Sequence, residues 1–104
     1  MKLYQFNLPL YDNAGKSCER AHIDFKSACK MYAGGYTVQG TNAVGEWYCT
    51  DDGNTYKDEI VIYQVAVDAK GFKRILEEAF NSFPDQLAIF TAIVGEATIH
   101  ARKG

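Results

Sequence analysis

Tyr48 and Glu59 stand eleven positions apart, near the two ends of a segment that reads as a β-hairpin from Gly45 to Ile60. A hairpin brings residues distant in sequence side by side, and strand residues alternate between the two faces of a sheet. A phenol and a carboxylate held together in this way would suit a small cation. Tyr36, Trp47 and Gln86 are the polar and aromatic residues placed to support them.

Other combinations of reactive residues lead nowhere. Cys18 and His22 are spaced i, i+4 on one predicted helix, but a zinc site wants three or four ligands, so no metal is expected. Gly40-Thr-Asn-Ala-Val-Gly45 is followed by Glu46 and Trp47, where a phosphate loop needs Lys and Ser/Thr. His22 falls on a helical stripe beside Ala21 and reads as a packed or rim histidine. Cys29 and Cys49 have no neighbouring cation to activate them. Nucleophilic catalysis and a bound cofactor are both unexpected.

Composition narrows the classes further. The chain has 104 residues, a formal charge of −2 and a pI of about 5.6. That length fits one domain spanning 1–104. Arg102-Lys103 is the only basic knot, so the basic stripe of a nucleic-acid binder is missing. Tyr63 could stack a base from a central strand, but the basic, glycine-aromatic motif of RNA-recognition modules is absent around it. No apolar run approaches the roughly 20 residues that span a bilayer. Met1 to Asn7 interleaves polar residues where an export leader needs an unbroken apolar stretch. Three cysteines without tight spacing suggest reduced thiols in a cytoplasmic protein.

The elements that must hold these residues follow from periodicity. Tyr4, Phe6, Leu8 and Leu10 alternate with polar residues or Pro9, predicting a half-buried strand. Cys18, Ala21, Phe25, Ala28, Cys29 and Tyr32 draw a helical stripe, with Ser17 as cap and Gly34-Gly35 as stop. A glycine-interrupted β stretch over 36–45 continues through Trp47 to a turn at Asp51 to Asn54. Residues 60–67 are apolar on both faces except at Gln64, the pattern of a central strand. Asp68 caps a second helix whose stripe runs from Phe72 to Phe83, with Gly71 weakening its first turn. Residues 87–94 form a last strand, and 97–101 a short addition. The order βαββαβ predicts an α+β, ferredoxin-like plait: an antiparallel sheet with two helices on one face. The other face is left to find cover, which oligomers often supply.

From Leu3 to Ala101 the chain resembles the bacteriophage S-adenosylmethionine lyases, formerly described as hydrolases. The resemblance is carried by Gly34 and Tyr36, by Tyr48, by Glu59 opening the strand Ile60-Val-Ile-Tyr-Gln-Val, and by the pair Asp85-Gln86. It implies that Tyr48 and Glu59 line a substrate site between subunits of a trimer, with Gln86 as a further contact. The implied reaction cleaves S-adenosylmethionine intramolecularly to methylthioadenosine and homoserine lactone, countering methylation-dependent restriction in the host cytoplasm. Glu59 would hold the substrate ammonium, Tyr48 would orient its carboxylate, and Trp47 would meet the sulfonium or adenine. The alternative is a non-catalytic ferredoxin-like module holding a small ligand between subunits. A third reading is a structural oligomer whose open sheet face packs on itself.

Overall fold

Two strands with alternating burial, β1 (Lys2–Pro9) and β3 (Thr55–Val67), occupy the centre of a four-stranded antiparallel sheet of order β2-β3-β1-β4. The edges are β2 (Thr37–Tyr48) and β4 (Phe90–Glu96), and the helices are α1 (Glu19–Ala33) and α2 (Ala69–Ser82). The structure, a computed structural model, describes residues 1–102. This is the expected α+β, ferredoxin-like plait. Among the described residues no helix is long and apolar enough to cross a membrane.

One side of the sheet carries the core. Tyr4, Phe6 and Leu8 of β1 and Val61, Tyr63, Val65 and Val67 of β3 face Phe25 and Cys29 of α1 and Ile75 and Ala79 of α2. Each fully buried large side chain contributes about 1.5–3 kcal/mol, so this one layer supplies most of the driving force. Phe6 meets Phe25 edge-on with ring centroids 5.2 Å apart. Tyr4 stacks on Phe72 at 4.1 Å. Tyr63 is only 1% exposed and lies on the helix side, so it offers no platform for a base.

The helix ends follow their local chemistry. Gly34 takes φ +80° and its N–H donates to Lys30 O at 3.1 Å, closing α1. The Gly71 N–H donates to Asp68 Oδ1 at 2.8 Å, capping α2 as expected. Gly71 itself is required by closeness: a Cβ there would lie 2.3 Å from Val67 Cγ2 and 3.1 Å from the Tyr32 carbonyl. α1 departs from the expected start. Cys18 takes the capping position without a side-chain bond, and the Ser17 hydroxyl accepts the Glu19 N–H at 3.3 Å.

Three boundaries differ from the sequence pattern. The glycines of β2 do not break it; Gly40 sits between register shifts at Val38/Gly40 and Gly40/Ala43, and Gly45 pairs in regular register, within one 12-residue strand. β4 starts at Phe90 rather than position 87, because residues 84–89 carry the chain from the end of α2 to the edge beside β1. No strand forms over 97–101; Ala97 makes a single backbone bond, donating to Met1 O at 3.1 Å.

The β2–β3 hairpin overhangs the rest of the sheet. β1 pairs with β3 only as far as Ile60, so residues 55–59 and their partners 44–48 project beyond it. The molecule is accordingly long, 58 × 26 × 24 Å. The tip is set by Gly53 at φ +72° and by Cys49 N–H donating to Asn54 O at 2.9 Å.

Candidate functional site

Within the hairpin the register is regular from Ala43–Ile60 to Tyr48–Thr55. Opposed residues share a face, and neighbours along a strand take opposite faces. Trp47, Tyr56, Asp58 and Ile60 therefore point to the side away from the helices, whereas Tyr48 and Glu59 point to the helix side. Tyr48 is 67% exposed and opposite Thr55, and Glu59 is exposed and opposite Val44. Four residues separate the two pairs, about 13 Å along the strands at about 3.3 Å per residue. The joint grip of Tyr48 and Glu59 on one cation is not formed within a single chain. They lie on paired strands, as the hairpin pattern predicts, but are not in contact. Eleven positions spread over a long hairpin leave a four-residue offset.

The open sheet face carries a cleft instead. Asn7 and Pro9 of β1, Asp58 and Ile60 of β3, Trp47 of β2, Phe90 of β4 and the segment Gln86, Ala88 and Ile89 enclose about 470 Å³. Small-molecule sites fall in this size class, mostly apolar with a few placed polar groups. Trp47 and Gln86, named from sequence, thus meet in one cavity, although 39 positions separate them. Asp58, Asn7 and Phe90 were missed. The signal that would have found Asp58 is strand parity, since it shares its face with Trp47 across the hairpin. Tyr36 lies elsewhere, half-buried on the helix side, its ring edge-on to Tyr63 at 5.9 Å with Lys26 Nζ at the same distance.

Two tethers fix the Gln86 wall. The Asn13 N–H donates to Asp85 Oδ2 at 2.8 Å, and the Asn13 side-chain amide donates to Asp85 O at 3.2 Å. The loop holding Asn13 is itself wound around Asp12 Oδ1, which accepts the N–H groups of Ala14 and Lys16 at 2.9 and 2.8 Å. The Gln86 N–H also donates to Phe83 O at 3.1 Å. Opposite, the Gln5 amide donates to Asn7 Oδ1 at 3.1 Å and holds Asn7 on the open face.

Behind the sheet sits a buried polar pair. His22, 8% exposed, approaches the Tyr63 hydroxyl with Nδ1 and Pro9 O with Nε2, both at 2.7 Å. Burial holds the imidazole below its ordinary pKa near 6.5 and pushes the Tyr63 phenol up. Both ring nitrogens are satisfied, so His22 is the packed histidine its position suggested. Burial likewise raises the thiols of Cys18 and Cys29, the latter to about 12, which removes the thiolate a nucleophile needs. Among the described residues no group of three His, Cys, Asp or Glu could hold a metal ion.

No family profile matches the chain, and no curated protein matches it. Solved structures do. The chain is similar to the divalent cation tolerance protein (Cut A1) from Thermus thermophilus, with a TM-score of 0.70 and 11% identity over 95% of this chain and 86% of that one. They share a fold. At this identity the likeness establishes the ferredoxin-like architecture and nothing about ligand or chemistry.

Proposed function

We propose that this protein is an oligomeric ferredoxin-like module that holds a small organic ligand in the open-face cleft. The observation that carries the reading is the convergence of Trp47, Asp58 and Gln86 from three separate segments on one cavity. An open sheet face with large exposed apolar residues, including Trp47, Tyr56 and Phe90, favours a second subunit as its cover. S-adenosylmethionine is the first ligand to try, since its sulfonium, ammonium and adenine match the acid, amides and rings of the cleft. The experiment is a thermal-shift titration, where a ligand bound only by the native state raises Tm with concentration. No shift with S-adenosylmethionine at millimolar concentration, in an oligomer shown to be intact, would remove this ligand.

A second reading, favoured by the meeting of Trp47 and Gln86, is the lyase itself. The substrate carboxylate oxygen would bond to its own γ-carbon while the carbon–sulfur bond breaks and its electron pair stays on sulfur. The products are homoserine lactone and methylthioadenosine, with no water, metal or cofactor consumed. A well-oriented intramolecular attack is worth about 7–11 kcal/mol, so positioning alone suffices and no general base is needed. In this reading Tyr48 and Glu59 reach one substrate from different subunits of a trimer, since a single hairpin holds them about 13 Å apart. Consuming S-adenosylmethionine in a host cytoplasm would starve methylation-dependent restriction. Incubation with S-adenosylmethionine and chromatography for methylthioadenosine tests it. Tyr48→Phe and Glu59→Ala should slow product formation. Turnover equal to the parent in both variants would displace these residues from the mechanism.

A further inference from the structure

We infer that a second site lies on the helix side of the sheet, in a trough between α1 and β2. It takes a small carboxylate with an apolar body, the anionic end on Lys26. This site is separate from the open-face cleft and does not depend on what that cleft binds.

The trough follows from the fold. The two helices cover the central strands β1 and β3, and the edge strand β2 lies outboard of α1. Val38 and Thr41 of β2, both exposed, make the outer wall. Glu19, His22 and Lys26, at i, i+3 and i+7 on one face of α1, make the inner wall. Leu10 and Val61 give an apolar floor, and the whole encloses about 300 Å³, at the small end of ligand sites.

Three observations point to an anion. The first is that the Lys26 ammonium has no acid to meet. The positions three and four residues away on α1 hold His22, Ile23, Cys29 and Lys30, and Asp24 is engaged by Arg20 at 3.2 Å. Among the described residues Lys26 forms no ion pair. Its Nζ lies 5.9 Å from the centre of the uncharged Tyr36 ring, so its charge is not neutralised. The second is that this charge reaches the middle of the trough. Burial chiefly lowers the His22 pKa; the Pro9 carbonyl opposes that shift and the Lys26 charge adds to it. The third is the donor set. Both His22 nitrogens are taken, by the Tyr63 hydroxyl and the Pro9 carbonyl. That leaves the ammonium and the hydroxyls of Ser17 and Thr41 to face a ligand.

Glu19 sets the orientation. It is exposed and stands seven residues from Lys26, about 10.5 Å along the helix axis, a separation at which salt screens surface charges. A carboxylate is therefore drawn to the Lys26 end, and its apolar body lies along Leu10 and Val61. The open-face cleft has the opposite preference, because Asp58 is the only charged residue lining it.

The test uses hexanoate and its neutral isostere hexanamide. Affinity is measured by equilibrium dialysis, and the place of binding by proton NMR of the two histidines, with His22→Gln assigning the His22 signals and the exposed His100 serving as internal control. Trp47, the only tryptophan, reports on the open-face cleft. Hexanoate is expected to bind roughly fivefold tighter than hexanamide, to shift the His22 resonances and raise the His22 pKa, and to leave Trp47 emission unchanged. Lys26→Met should bring the two ligands within about twofold, and Lys26→Arg should keep the preference. Circular dichroism confirms that the variants are folded. Equal affinity for hexanoate and hexanamide would overturn the anion inference, and a preference undiminished in Lys26→Met would overturn the role of Lys26. Binding that moves Trp47 emission and not His22 would place the ligand in the other cleft and overturn the site. No binding in dialysis up to about 10 mM would overturn it as well, while leaving the open-face reading untouched.

Discussion

Replacing Tyr63 with phenylalanine removes one oxygen from the buried His22–Tyr63 pair. The Pro9 carbonyl can only accept, so the neutral His22 ring must carry its proton on Nε2 and receive the Tyr63 O–H at Nδ1. In Tyr63→Phe that buried nitrogen has no donor. Leaving a buried acceptor unpaired costs about 1–3 kcal/mol, and in a domain of this size each kcal/mol lowers Tm by roughly 4–8 °C. Urea unfolding at pH 8 measures the loss, with an unchanged m-value showing that the unfolded state is the same. A pH arm isolates the histidine. Burial lowers the folded-state pKa of His22, so the unfolded chain binds the proton more readily. Stability is then complete above about pH 6.5 and falls as pH drops toward the folded pKa, by at most about 1.4 kcal/mol per pH unit. His22→Gln removes that part of the acid slope. A Tyr63→Phe variant within about 0.3 kcal/mol of the parent, or an acid slope unaltered in His22→Gln, would refute the reasoning about this pair.

Gly71→Ala sets two rules against each other. Helix propensity alone favours alanine by about 1 kcal/mol. The 2.3 Å approach to Val67 Cγ2 and the 3.1 Å approach to the Tyr32 carbonyl favour glycine, because overpacking costs about 1–3 kcal/mol; a net loss of stability in urea is expected, and a gain would show that the helix can shift. Asp68→Ala deletes the cap of α2 and should cost about 0.5–2 kcal/mol, read as a lower Tm. Tyr48→Phe and Glu59→Ala, both exposed on the overhanging hairpin, should leave stability within about 0.5 kcal/mol of the parent, so a loss of turnover in them would report on function and not on folding.

The amino-acid sequence by itself determined the plait. Alternation in Tyr4, Phe6 and Leu8, the apolar run of 60–67 and the two helical stripes are local patterns, and most of their residues form the core, although Tyr32 and Phe80 of the stripes stay exposed and only the odd positions of 61–67 are buried. Caps were legible for the same reason: Asp68 and Gly34 act on atoms three or four residues away. What tertiary structure decided is everything that depends on register. A one-residue step along β3 separates Asp58, which faces the cleft, from Glu59, which faces the other way. Nothing in the order of residues says which carboxylate meets Trp47 until β2 is laid against β3. The reach of residues 84–89, which brings Gln86 to the cleft, likewise depends on where α2 ends over the sheet and on the Asn13–Asp85 tether from a distant loop. Periodicity is written into neighbours in the chain, whereas a site is written into neighbours in space, and only pairing between strands converts one into the other.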